Sequence, residues 1–163
     1  MSKRIVINSL AFARDAGSLQ GELPIASLTR LLDKLVDSTG SLSYRVDGRF
    51  GSRNRPQLLL QLDGVLSVCC QRCLEGIDYP IAVRSVLEFV DDEEDLTQEE
   101  IEEDAKDFLP AQSELDVVAL IEDEIILDLP SAPRHENCAL PDTGQGTGKV
   151  SPFSVLQGFK GKA

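Results

Sequence analysis

The sequence predicts an α+β fold, in which an antiparallel β-sheet is covered by two helices. Three observations lead to this prediction: two segments with apolar residues at helical spacing, strand-like apolar patterns from Ser41 to Val90, and glycine-containing turns between those patterns. With 163 residues the chain is long enough to bury a substantial core. We expect residues 1–140 to form one α+β domain with an acidic loop at 91–110. Residues 141–163 are expected to form a flexible linker and C-terminal tail.

The first predicted elements are a short strand at residues 3–8 and a helix that runs from Pro24 to Gly40. Proline suits the first turn of a helix, and Gly40 offers a stop. The apolar side chains of this segment recur at helical spacing: Ile25, Leu28, Leu31, Leu32, Leu35 and Val36.

Three or four antiparallel strands are predicted between Ser41 and Val90. The first shows strict alternation of apolar and polar residues, with the apolar positions at Leu42, Tyr44 and Val46. Asp47-Gly48 or Gly51-Ser52 offers a turn after it, and Asp63-Gly64 offers a second turn.

The remaining pattern predicts an acidic segment followed by a second helix. Residues 91–107 are a run of like charges, which favours a mobile loop with at most a short nascent helix. The segment from Ser113 to Leu127 has apolar residues at helical spacing and a capping-box pattern at Ser113 and Asp116. The prolines that follow must leave helical geometry.

Charge is distributed unevenly along the chain, whose net charge is −12. Residues 1–73 hold 10 Lys and Arg against 6 Asp and Glu, whereas residues 74–163 hold 6 against 22. The electrostatic field of a protein with this net charge repels nucleic acid at long range. Contact with RNA must therefore be local or must pass through a basic protein partner. No stretch approaches the roughly 20 apolar residues that span a bilayer, and no secretory signal is recognisable, so we expect a cytoplasmic protein.

Four cysteines and the one histidine suggest a metal site. Cys70 and Cys73 have the two-residue spacing that lets both sulfurs reach one ion, and His135 and Cys138 can complete a tetrahedral set for structural zinc. Two other interpretations remain open: a cysteine at 69 or 70 that packs in the core, and a thiol redox pair. The redox pair is disfavoured because the motif lies between strands rather than at a helix N-terminus.

A basic cluster lies in the predicted hairpin. Its arginines can contact phosphates while its aromatic ring stacks on an unpaired base; the residues are Arg45, Arg49, Phe50, Arg53 and Arg55. The alternative is a solvated turn. No catalytic site is predicted, because the single histidine has no evident Ser or Asp partner and no glycine pattern matches a phosphate-binding loop.

Three stretches resemble the large ribosomal RNA subunit accumulation protein family (YceD). They are VCCQRCLEGIDYPI, DVVALIEDEIILDLPSAPRHENC and SPFSVLQGFK, in the family's order and spacing. The resemblance implies that Cys70 and Cys73 are the family's cysteine pair and that His135 and Cys138 lie in its post-helix region. Cys69 is an addition of this sequence.

The resemblance further implies a function in the synthesis, processing or stability of the large-subunit (23S) ribosomal RNA, without enzymatic activity. We therefore expect a ribosome-biogenesis factor whose partners are that RNA or its precursor and a basic ribosomal protein, with neither a membrane nor a small-molecule substrate. The alternative is a protein-binding adaptor with a structural zinc site that does not contact RNA.

Overall fold

The computed structural model describes residues 4–90, 96–97 and 106–140. Within these ranges the chain forms eight strands and two α-helices. In chain order they are β1 (Val6–Ile7), α1 (Ser9–Arg14), β2 (Ser18–Pro24), β3 (Leu35–Asp37), β4 (Ser41–Phe50), β5 (Pro56–Cys69), β6 (Gly76–Val90), β7 (Asp107–Pro110), β8 (Leu115–Asp116) and α2 (Val117–Asp128).

Six of the strands form one sheet, in the order β2-β4-β5-β6-β7, and β3 pairs with the last residues of β5. All pairs are antiparallel except β6–β7, which is parallel. The α1 helix packs on β4 and β5, and α2 packs on β6. The predicted α+β class, with a largely antiparallel sheet and two helices, is confirmed.

The alternation predicted for the first long strand is also confirmed. In β4, Leu42, Tyr44 and Val46 are buried, whereas Ser43 and Arg45 between them are exposed. Successive side chains of a strand point to opposite faces, so one face of β4 packs on the core and the other faces solvent.

The helix predicted from Pro24 to Gly40 is wrong. Pro24 ends β2, and the next residues form a chain of tight turns that leads into β3. In these turns the N–H of Leu28 donates to Ile25, that of Leu31 to Leu28, and that of Lys34 to Leu31. Because each bond spans three residues, Ile25, Leu28 and Leu31 are buried with a spacing close to that of a helix, while Leu32 is exposed.

The predicted turn at Asp63-Gly64 is also wrong, since β5 runs through it without a break. Packing explains why a glycine stands at position 64: a Cβ there would lie 2.2 Å from Cδ2 of the buried Leu42. Gly48 likewise lies inside β4, where a Cβ would lie 2.4 Å from the carbonyl oxygen of Phe12 in α1. The β4–β5 turn occurs at the other predicted position, after Gly51.

The second predicted helix is α2, and it begins at Val117, later than the capping pattern at Ser113 suggests. The Asp116 carboxylate caps it by accepting from the N–H groups of Val118 and Ala119. Most of the predicted acidic loop at 91–110 lies outside the described residues, and its end forms β7. The predicted linker and tail at 141–163 also lie outside them.

Candidate metal centre

The loop between β5 and β6 folds into a tight turn that carries the Cys-x-x-Cys motif. The N–H of Cys70 donates to the carbonyl of Glu75 at 2.8 Å, and the N–H of Leu74 donates to the carbonyl of Cys70 at 3.0 Å. Leu74 has a φ of 65°, a left-handed conformation that closes the turn. The two strands meet just below it, where Cys69 pairs with Gly76.

The segment after α2 is held against this turn by two hydrogen bonds. The N–H of Gln71 donates to the carbonyl of Pro133 at 2.8 Å. The Arg72 guanidinium donates to the carbonyl of Cys138 at 3.0 Å. These contacts bring a loop more than 60 residues away in sequence to the cysteine pair.

The four predicted ligands, Cys70, Cys73, His135 and Cys138, meet at this junction. Their ligand atoms all lie within 4.8 Å of one another. The sulfurs of Cys70 and Cys138 are 3.7 Å apart, and the Cys73 sulfur lies 3.3 Å from Nδ1 of His135. An ion with tetrahedral bonds of about 2.3 Å to sulfur places two sulfurs about 3.8 Å apart, so the separation of Cys70 and Cys138 is close to that expected in a zinc site.

The orientation of His135 suits a metal ligand. Its Nε2 lies 3.2 Å from the carbonyl oxygen of Gly76. Because a carbonyl only accepts, Nε2 carries the proton in this hydrogen bond, and the lone pair of Nδ1 faces the three sulfurs. Zinc-binding histidines usually have such a second partner.

The cysteines differ in their environments. Cys70 is fully buried, whereas Cys73 and Cys138 are half-buried. Burial by itself raises the pKa of Cys70, but backbone N–H groups, led by that of Cys73, outweigh it and lower the pKa to about 5. For Cys73, the N–H of Glu75 lowers the pKa, but burial and the neighbouring sulfurs raise it by more.

Cys69, which precedes the motif, is not part of the cluster. Its thiol is directed toward the carbonyl groups of Leu74 and Cys70, at 3.7 and 3.8 Å. The Cys70 side chain is buried, and its sulfur lies 3.7 Å from that of Cys138 in the cluster.

The predicted basic hairpin forms at the opposite end of β5, but some of its arginines are engaged by other side chains. The guanidinium of Arg45 makes two hydrogen bonds to Asp47, at 2.6 and 3.2 Å. Arg49 donates to the side chain of Gln57 at 3.1 Å. Arg49 and Arg53 are exposed, and Phe50 is 44% exposed beside them.

Arg55 faces a buried carboxylate that the sequence pattern does not reveal. Its guanidinium lies 3.4 Å from Glu88, whose side chain is only 2% exposed. Gln57, also buried, donates to the same carboxylate, and Nζ of Lys106 lies 3.8 Å from it. In the sequence, this buried carboxylate is indicated only by the position of Glu88 within the apolar end of β6.

The acidic residues of α2 also differ from expectation, since charges on a helix usually face solvent. Glu122 is buried and accepts the N–H of Arg30 at 2.9 Å, so it holds the turns that precede β3. Glu124 is buried beside Ser85, which donates to it. Asp123 is exposed and pairs with Arg30 at 2.5 Å.

The fold and the cluster together define a class of protein: an α+β protein in which a Cys₃His donor set lies between a strand turn and the segment after α2. A family model described as large ribosomal RNA subunit accumulation protein YceD matches residues 58–160, and the chain belongs to this family. No curated protein and no solved structure matches it. Across the described parts of the chain, no helix is sufficiently long and apolar to cross a membrane.

Proposed function

We propose that this protein is a non-enzymatic ribosome-biogenesis factor that supports the accumulation of 23S ribosomal RNA in the cytoplasm. The observation that carries this proposal is its membership of the YceD family, whose matched region contains all four donors of the cluster. The function would be exerted by binding, because the four side chains brought together here have the composition of a structural metal centre.

The metal of this proposal is structural zinc, held by Cys70, Cys73, His135 and Cys138. Three sulfurs and one imidazole favour a soft or borderline cation, and the 3.7 Å between the sulfurs of Cys70 and Cys138 is close to the separation expected in tetrahedral coordination. The ion would fasten the segment after α2 to the β5–β6 turn. It would thereby fix the orientation of α2 on the sheet.

RNA contact is proposed at the end of the β4–β5 hairpin. Arg49 near the end of β4 and Arg53 in the turn are both exposed, and Phe50 offers a partly exposed ring for stacking. Arg45 and Arg55 have carboxylate partners, so we assign them mainly to shaping the hairpin.

The pairing of these arginines also favours a second candidate, a protein-binding adaptor that does not contact RNA. Positive charges of the first half of the chain are partly neutralised by acidic residues of the second half, as in the pairs Arg4–Asp116 and Arg30–Asp123. In the folded protein, positive and negative charges are therefore less separated than they are along the sequence. An adaptor would need only the metal centre and a protein-binding surface.

Depletion of the protein from its host tests the cellular function. We expect the ratio of 23S to 16S ribosomal RNA to fall and 23S precursors to accumulate, with recovery on expression of the wild-type chain. An unchanged ratio after complete depletion would refute the proposal.

Filter binding with 23S ribosomal RNA at low salt separates the two candidates. A direct RNA-binding factor should lose affinity when Arg49 and Arg53 are both changed to Ala. The matched control changes Arg14 and Arg84 to Ala, which removes the same charge from exposed positions elsewhere. Equal binding by the two variants would refute the hairpin interface and favour the adaptor.

A further inference from the structure

A groove lies between β7 and α2. Its volume is about 520 Å³. The deeper part is apolar, with Leu87, Leu115 and Leu120 all buried. At its edge Leu127 extends from α2 with 76% of its surface exposed. An exposed leucine beside an apolar groove is a common feature of protein-binding surfaces.

Carboxylates surround this apolar groove. Five of its lining residues are acidic and one is basic; the acidic residues are Asp107, Glu114, Asp116, Asp123 and Glu124. The basic residue, Arg4, pairs with Asp116 at 3.1 Å, and Arg30 pairs with Asp123. Five carboxylates against these two guanidinium groups leave an excess of negative charge.

The sequence between β6 and β7 is also strongly acidic. Residues 91–105 contain ten Asp and Glu and no Lys or Arg, and they connect β6 to β7, the strand that lines the groove. Negative charge of this density repels a nucleic acid backbone and attracts cationic side chains.

We infer that this groove binds a Lys- and Arg-rich amphipathic segment of a partner protein. Its apolar side chains would occupy the leucine-lined floor and cover Leu127, while its cationic side chains would meet the surrounding carboxylates. This inference rests on the proposed function and deepens it, since it gives the basic protein partner a binding surface other than the arginine hairpin.

The titration of Glu124 agrees with this assignment. Burial raises the pKa of Glu124; Ser85 opposes this, and the charges of Asp107 and Asp123 raise the pKa further. The carboxylates thus repel one another across the groove. A cationic side chain among them would relieve that repulsion.

Fluorescence anisotropy with the full-length protein tests the inference. The probe is a labelled synthetic peptide of about 15 residues, composed of Leu and Lys at helical spacing. We expect saturable binding that weakens with added salt. A peptide in which Glu replaces every Lys should bind at least roughly tenfold more weakly, a difference of about 1.4 kcal/mol. Equal binding of both peptides would overturn the inference.

Two pairs of variants locate the binding site. The double change Asp107→Asn/Glu114→Gln should weaken binding at least roughly tenfold, whereas Asp15→Asn/Asp78→Asn, with the same change in net charge, should weaken it less than about twofold. The change Leu127→Ser should weaken binding, but Val65→Ser, at another exposed apolar residue, should not. If the members of either pair behaved alike, the groove would not be the site.

Two further experiments test whether the chain's own basic end or RNA binds in the groove instead. If the full-length Lys160→Glu/Lys162→Glu variant bound the peptide roughly tenfold more tightly, the chain's own basic end would be the occupant and the inference would be wrong. If 23S ribosomal RNA lost affinity in the groove variant but not in the hairpin variant, the groove would be an RNA surface. The RNA assay on the hairpin gives its result independently of the peptide assay, so failure of one proposal is distinguishable from failure of the other.

Discussion

Replacing Arg55 with Ala should destabilise the fold, because it leaves the buried carboxylate of Glu88 without its guanidinium partner. The Glu88 side chain is 2% exposed and that of Arg55 is 18% exposed, so little water is available to solvate the charge. Removing one partner of a buried ion pair costs about 3–5 kcal/mol. Lys106, 3.8 Å from the carboxylate, stays in place and reduces the expected cost to about 2–3 kcal/mol.

The matched control is Arg84→Ala. Arg84 and Asp63 are only 2.8 Å apart, closer than Arg55 and Glu88, but both side chains are about half exposed. An exposed pair contributes about 0–1 kcal/mol, so burial rather than distance should determine which variant is the less stable.

Urea denaturation followed by circular dichroism at neutral pH measures both free energies of unfolding. In thermal unfolding, the expected loss for Arg55→Ala corresponds to a decrease in Tm of about 4–12 °C. The double variant Arg55→Ala/Glu88→Gln should recover part of the loss, because the unpaired charge is gone. The reasoning would be refuted if Arg55→Ala and Arg84→Ala lost the same stability, or if the double variant recovered none of it.

Three further predictions concern the metal centre, α2 and the glycines of the sheet. Elemental analysis should find about one zinc per chain, and Cys73→Ser should lose it while Cys69→Ser retains it; equal zinc in both variants would contradict the assigned ligands. Because burial raises the pKa of Glu124 in the folded state, the folded protein is stabilised by protonation of this side chain. That stabilisation is fully present below the ordinary pKa of Glu and is lost as the pH rises through the raised pKa. The difference in unfolding free energy between Glu124→Gln and wild type should therefore favour the variant more at pH 7 than near pH 4. Urea denaturation at both pH values measures this difference, and the opposite trend would show that the reasoning is wrong. Gly64→Ala should lower the free energy of unfolding by about 1 kcal/mol, because the atom in the way is the end of the Leu42 side chain, which can shift. Gly48→Ala should lower it by more, because the atoms in the way belong to the backbone of Phe12. Equal losses in the two variants would contradict this difference.

The sheet could be predicted from the sequence where one face of a strand is exposed. In β4 the alternation from Leu42 to Val46 corresponds directly to the two faces of the strand. The segment at Ile25, Leu28 and Leu31 could not be assigned from spacing alone, because successive three-residue turns and a helix bury nearly the same positions. The exposed Leu32 distinguishes them, and its exposure depends on tertiary packing.

The donor set of the cluster could be predicted because cysteine and histidine have few other reasons to occur at such spacing in a cysteine-poor chain. The buried carboxylates could not. Glu88, Glu122 and Glu124 resemble solvated residues in the sequence, and their partners Arg55, Arg30 and Ser85 are brought to them only by the fold. A charge pattern along a sequence does not contain that information.

The long separation within the donor set has a consequence for biosynthesis. Cys73 and His135 are 62 positions apart, and Cys138 follows three residues later. At about 5–20 residues per second, the first two thiols are synthesised roughly 3–13 seconds before the other two donors. During that interval the nascent chain contains only two of the four donors. The donor set is therefore complete only after α2 has been translated.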